Sequence, residues 1–219
     1  TSDCTRNCGL FIGLHGQDSA GGRIGAAGIP NDYRNITLET SPAGSSQAII
    51  YAGLDDYIGT FERQFDRQAL ADNPFKSVYL YSKAPGTGKT TTAIALLNEW
   101  IRTHYVGALK RKQTPLQTPG FFLDVTEWQQ LYNQFNRPRV PEHIAQPASA
   151  RYYGMMEKAQ RAPFAVLDDI GVRNVTEGFR SDLHVIINYR VTNNLPTVYT
   201  SNLPIKYREA KSVALMPYD

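Results

Sequence analysis

The 219-residue chain holds only two cysteines, Cys4 and Cys8, both near one end. Two thiols so placed make a poor disulfide framework and fit a reducing, cytoplasmic setting. Long apolar runs are missing as well: the longest, near residues 93–97 and 185–187, fall far short of the roughly 20 residues a membrane-spanning helix needs. No membrane partner is expected, and nothing at the start reads as a secretory signal. Charge of one sign is also scarce. Lys and Arg total 23 against 20 Asp and Glu, and a net charge of +3 is too small to mark a nucleic-acid binder by itself. What the chain does have is 42% hydrophobic and 11% aromatic residues, which is enough to fill a core and excludes general disorder. The length suits one domain with a short appendage.

Residues 1–46 are rich in Gly, Ser, Asn and Thr without a sustained period, and read as an irregular N-terminal arm. From 47 to about 70, Ile50, Leu54, Tyr57, Ile58, Phe61 and Phe65 recur at helical spacing, predicting one amphipathic helix weakened by Gly53 and Gly59. Short apolar runs at 77–81, 121–125, 164–167 and 197–200 predict buried strands. Helical patterns at 90–104, 126–135, 151–160 and 179–191 lie between them. Alternation of this kind predicts an α/β fold, a parallel sheet sandwiched by helices, over residues 47–219. The Pro-, Gln- and base-rich stretches 110–119 and 137–149 read as mobile loops, and no internal repeat is present.

The sharpest signal is Ala84-Pro85-Gly86-Thr87-Gly88-Lys89-Thr90-Thr91, set between a strand and a helix. This is a Walker A phosphate loop in its required context, so ATP is the expected ligand of Pro85, Gly86, Thr87, Gly88, Lys89, Thr90 and Thr91. Gly86 and Gly88 permit backbone shapes that turn successive N–H groups onto phosphates at the positive end of the helix. Lys89 would bridge the β- and γ-phosphates, and the Thr90 hydroxyl would bind Mg²⁺. Lys83 stands where the full pattern has its first glycine. That glycine mainly shapes the turn, so an altered loop with binding retained is expected.

The strand at 164–167 runs into Asp168 and Asp169, the form of a Walker B element. Asp168 would hold Mg²⁺, usually through water, and Asp169 would orient and deprotonate the attacking water. Many nucleotidases of this class carry Glu in the second place. Asp is one methylene shorter, which predicts slow hydrolysis. The run 195–202 is another strand ending in a polar group at the same edge, where Asn202 would sense the γ-phosphate or the attacking water.

Together the phosphate loop, the Asp-Asp-Ile-Gly of residues 168–171, Asn188-Tyr189-Arg190, Leu195-Pro196-Thr197 and Thr200-Ser201-Asn202 resemble the DnaC/DnaI family. These are AAA+ P-loop ATPases that load replicative helicases in bacteria and phages. Upstream, Gly28-Ile29-Pro30-Asn31-Asp32-Tyr33-Arg34 with Thr37-Leu38-Glu39 is similar to the segment leading into that family's ATPase domain. The resemblance runs from about residue 28 and is specific in the order of its parts. It implies that Ile29, Pro30 and Tyr33 flank the adenine, with core packing the equal alternative. It further implies an ATPase that grips a hexameric DnaB-type helicase, assists its placement on single-stranded DNA, and self-associates or assembles on the helicase.

Some parts of the family pattern are thin. Cys4, Cys8 and His15 are similar to the remnant of a DnaI-type zinc module, yet a structural Zn²⁺ site takes four ligands and three candidates are present. The rival reading makes the cysteines plain small residues. No residue after Asn202 matches the family's arginine finger or the second sensor of its small helical lid. Arg180 and Arg190, on the helix before the last strand, are candidates for contact with a neighbouring subunit. Their rival role is that of exposed residues on an amphipathic helix. By similarity to DnaA-type initiators, single-stranded DNA would lie along 126–139, where Phe135, Arg137 and Arg139 offer stacking and charge. Trp128 and Leu131 read as core instead. Lys110-Arg111-Lys112 would join the DNA surface or form a solvated loop. The resemblance therefore implies a helicase-loading ATPase of a bacterial or phage cytoplasm. An IstB-type transposition helper and a non-hydrolysing ATP-binding helicase adaptor are the alternatives.

Overall fold

The computed structural model describes residues 8–17, 19–171 and 175–204. The strands β1 (Val78–Tyr81), β2 (Gly120–Asp124), β3 (Phe164–Asp168) and β4 (Thr197–Ser201) form one parallel sheet in the order β1-β4-β3-β2. The connections include α5 (Lys89–Lys110), α6 (Val125–Asn136) with α7 (Glu142–Arg161), and α8 (Glu177–Thr192). Side chains alternate across a strand, and that alternation sorts the core into two layers. Phe122, Phe164, Val166 and Val198 face α5, where they meet Ile94, Leu97 and Trp100. Phe121, Leu123, Leu167 and Tyr199 face α6, α7 and α8, where they meet Trp128, Tyr152, Phe179 and Ile186. The sheet is thus covered on both faces, as its nearly unbroken apolar strands require.

Two of the helices beside the sheet begin at a side-chain cap. The Asp124 carboxylate accepts the Glu127 N–H at 2.9 Å to cap α6, and Thr176 Oγ1 accepts the Phe179 N–H at 3.3 Å to cap α8. Two sequence expectations change here. The single helix expected over 47–70 is three pieces: α3 (Ala48–Gly59), a 3₁₀ turn (Phe61–Phe65) and α4 (Arg67–Asp72). Thr60 turns its hydroxyl back onto Tyr57 O at 2.6 Å after Gly59, and Asp66 caps α4 through the Ala69 N–H at 3.0 Å. The loop expected over 137–149 is shorter, because α7 starts at Glu142 and carries Pro147 inside it. Proline removes one intrahelical bond there, while buried Ala148 and Tyr152 hold the turn against α6.

The N-terminal arm is more ordered than its composition suggests. It contains α1 (Gly9–His15), α2 (Gly22–Ala26) and a 3₁₀ turn (Asn31–Tyr33). Leu14, Ile24, Ala27 and Ile29 are buried in the same cluster as α5 and the sheet. The Phe122 N–H donates to Ala27 O at 2.8 Å, so the arm covers the outer edge of β2. Gly28 follows at φ +78°, where a Cβ would stand 3.2 Å from Phe122 O. No helix among the described residues is long and apolar enough to cross a membrane.

Candidate nucleotide site

The phosphate loop joins the end of β1 to the start of α5, and its glycines lie where left-handed backbone is needed: Gly86 at φ +71° and Gly88 at φ +85°. Gly88 is doubly constrained, since a Cβ on it would lie 2.4 Å from the Cβ of Ala43. A cleft of about 350 Å³ opens between residues 86–91 on one side and Tyr33, Pro42, Ala43 and Ser46 on the other. It sits at the positive end of the 22-residue α5. Lys89 Nζ donates to Ser82 O at 3.3 Å and Ala84 O at 3.2 Å, which holds the ammonium over the loop. Thr87 and Thr91 line the cleft, whereas Pro85 is exposed and does not. Lys83, at the position of the missing glycine, is also exposed.

Beneath the loop, Thr90 Oγ1 lies 3.0 Å from both carboxylate oxygens of Asp168, a residue 78 positions away. Asp168 ends β3 and is 7% exposed. Burial pushes its carboxyl pKa up, while hydrogen bonds from Thr200 and Thr90 pull it down and the Asp124 and Asp169 charges raise it further. The register places Asp124 on β2 directly opposite Asp168. Asp169 is half-buried with φ +55°, a conformation that costs a non-glycine residue roughly 1–2 kcal/mol. Asn202 is exposed just past β4, whose Ser201 O accepts the Ser82 N–H at 3.3 Å. The third polar element therefore leaves the sheet beside the start of the phosphate loop.

Three residues to which the motifs assign no role build this edge. Thr200 Oγ1 donates to Asp168 Oδ1 at 2.6 Å. Tyr51 Oη lies 2.6 Å from Ser41 Oγ and 2.9 Å from Thr92 Oγ1, which ties the arm to the phosphate-loop helix. Ala43 roofs Gly88. Only Thr200 had a signal: it shares the face of Asp168 once adjacent parallel strands are set in register.

Other expected residues are redistributed. Of the adenine candidates, Tyr33 lines the cleft, but Ile29 is 1% exposed in the core and Pro30 faces a separate hollow beside Phe121 and Gly28. Arg190 is 0% exposed, so it presents nothing to a neighbouring subunit. It donates to Thr197 Oγ1 and to the carbonyls of Ala159, Gln160, Ala162 and Pro196, and burial lowers its pKa to about 10. Arg180 is exposed. Trp128 is core: its indole N–H donates to Tyr152 O at 3.1 Å, and its ring stacks on Tyr152 at 4.5 Å. Phe135 is half-buried against Tyr132, Tyr152 and Tyr153, while Arg137 and Arg139 are exposed beyond α6. Arg111 pairs with Glu62 at 3.1 Å and covers the Phe65 ring at 4.2 Å. Cys4 lies outside the described residues. Cys8 precedes α1 and is half-buried, and His15 ends α1 with its ring stacked on Phe11 at 4.4 Å. Among the described residues no three His, Cys, Asp or Glu side chains cluster closely enough to hold a metal ion.

No family model matches the chain. No curated protein matches it either. Among solved structures, it is similar to a DNA replication initiation factor at 16% identity and TM-score 0.47, over 76% of this chain and 41% of that one. It is also similar to DnaI at 20% identity and TM-score 0.46, over 81% of this chain and 74% of that one. The chain thus spans about two fifths of the initiation factor's length.

Proposed function

We propose that the protein binds ATP with Mg²⁺, hydrolyses it slowly, and uses the nucleotide state to load a DnaB-type replicative helicase onto single-stranded DNA. The contact of Thr90, the residue after Lys89, with Asp168 at 3.0 Å carries the ATPase part. Chance glycine turns do not bring a hydroxyl and a buried carboxylate together under a lysine-bearing loop at a helix start. The donor set fits Mg²⁺, a hard cation that takes oxygen ligands and keeps several waters. When bound, that ion would neutralise charge between the β- and γ-phosphates. The residues have separable tasks. Lys89 swings from the Ser82 and Ala84 carbonyls to phosphate oxygens, and the loop N–H groups of residues 86–90 receive the remaining charge. Asp169 orients a water and takes its proton, and Asn202 reports on the γ-phosphate.

The loader part rests on the ordered motif set of the sequence, from the phosphate loop through Asp168-Asp169 to Thr200-Ser201-Asn202. It is tested by mixing the protein with a DnaB-type hexamer, with and without ATP, and measuring complex mass by native mass spectrometry. A defined complex whose abundance changes with nucleotide supports the reading. Failure to bind the intact hexamer in every nucleotide state overturns it, and duplex DNA preference at fixed salt would then point to the transposition helper. Helicase delivery unchanged in Asp169→Asn would favour the non-hydrolysing adaptor.

A further inference from the structure

We infer that Thr200 is a positioning residue that locks both acidic residues of the candidate ATPase site through one hydroxyl, an assignment that rests on the reading above. A threonine hydroxyl has one donor and two acceptor positions. Thr200 uses one of each: it donates to Asp168 Oδ1 at 2.6 Å and accepts the Asp169 N–H at 2.8 Å. The next peptide is held by the same residue, because the Ile170 N–H donates to Thr200 O at 3.0 Å. Thr200 is 1% exposed, so water does not stand in for its hydroxyl.

Asp169 needs such a hold. Its φ of +55° persists only where neighbouring contacts over-determine it. Thr200 fixes the peptide bonds on both sides of Asp169 from the adjacent strand. The same hydroxyl holds Oδ1 of Asp168, which sets the plane of that carboxylate; Oδ2, now 3.0 Å from Thr90 Oγ1, would be the oxygen to meet a cation once Thr90 turns to it. Thr90 is the other donor to Asp168, at the longer distance of 3.0 Å, and it belongs to the loop that must engage the nucleotide. Thr200 belongs to the sheet and keeps its place while Thr90 changes partner. The group that would hold the cation and the group that would activate water are therefore registered to each other by a residue of the sheet, outside the phosphate loop.

The test is Thr200→Val, which keeps shape and volume while removing the hydroxyl, compared with Thr200→Ser, which restores it. Thermal melts establish that both fold. ATP affinity of the full chain should stay within about twofold in both variants, since the Lys89 loop is untouched. The kcat for ATP hydrolysis should fall about 10- to 100-fold in Thr200→Val, the usual scale for partners that orient metal-site ligands, and Ser should restore it to within about threefold. Amide exchange supplies a readout independent of turnover: protection of the Asp169 N–H should drop in Val and return in Ser. Wild-type kcat in Thr200→Val, or Asp169 protection unchanged, overturns the assignment while leaving the ATPase reading intact. A wild-type protein that binds ATP without hydrolysing it overturns both the ATPase reading and this role.

Discussion

Removing the Arg190 guanidinium should be among the most damaging single changes in the molecule, although this arginine resembles an exposed helix residue in sequence. Its fork makes four short bonds, to Thr197 Oγ1 at 2.7 Å, Ala159 O at 2.7 Å, Pro196 O at 2.8 Å and Ala162 O at 2.9 Å, and a longer one to Gln160 O at 3.3 Å. Those acceptors lie at the end of α7 and at the segment entering β4, so one side chain joins two elements that meet at the base of the sheet. Arg190→Met preserves much of the stem packing but leaves several buried oxygens without donors. Each such loss costs about 1–3 kcal/mol, and the losses are not additive. A total of about 3–5 kcal/mol follows, a large share of the roughly 5–15 kcal/mol that stabilises a domain. Arg190→Lys should fall between, because an ammonium cannot reproduce the planar fork. The assay is urea unfolding: the midpoint should drop with an unchanged slope, and Arg180→Ala should change the unfolding free energy by less than about 0.5 kcal/mol. A loss below about 1 kcal/mol for Arg190→Met would refute the structural role.

Three further outcomes are expected. His104 donates from Nδ1 to Gln64 Oε1 and accepts the Leu116 N–H on Nε2, and burial, helped by the Arg23 charge, holds its pKa below 6.5. The unfolded chain therefore takes up the proton first, so stability is complete above pH 6.5 and is lost as the pH falls through 6.5 toward the lowered folded value. His104→Gln should flatten the decline of Tm with acid, and an identical slope would contradict this. Gly88→Ala should weaken ATP binding at least tenfold, about 1.4 kcal/mol, because the new methyl meets Ala43 in a left-handed backbone; wild-type affinity by fluorescence titration would show the loop to be pliable. Arg137→Ala and Arg139→Ala should each weaken single-stranded DNA binding and reduce the salt slope by about 0.7. Unchanged slopes would remove both from a DNA surface.

Much of the fold was legible because it is written in local periodicity. All four strands fall within a residue or two of their apolar runs, and Trp128 and Leu131 sit in the core as their helical spacing implies. The left-handed backbone at Gly86 and Gly88 is equally readable, since a glycine acts on the backbone beside it. Where partners are distant in sequence, the local pattern gave little. Arg190 looked like a surface arginine because its acceptors at Ala159, Gln160 and Ala162 belong to another helix end. Thr200 carries no local signal beside Asn202, because only the β3–β4 register brings its hydroxyl to Asp168. The order of the arm is hidden for a related reason: Leu14, Ile24 and Ile29 are spaced without a period, yet each finds the core individually. Pro147 masked the first turns of α7, where tertiary contact with α6 outweighs its helix-breaking cost.

If residues 84–91 and Asp168 form a working nucleotide site, ATP binds there and does so with a dependence on Mg²⁺. The most direct measurement is isothermal titration of the protein with ATP in the presence and absence of Mg²⁺, alongside Lys89→Ala and Asp168→Ala. Saturable binding at one site per chain, lost in Lys89→Ala and losing its Mg²⁺ dependence in Asp168→Ala, is the predicted result. Absence of binding in the wild type, or equal binding in Lys89→Ala, would contradict it.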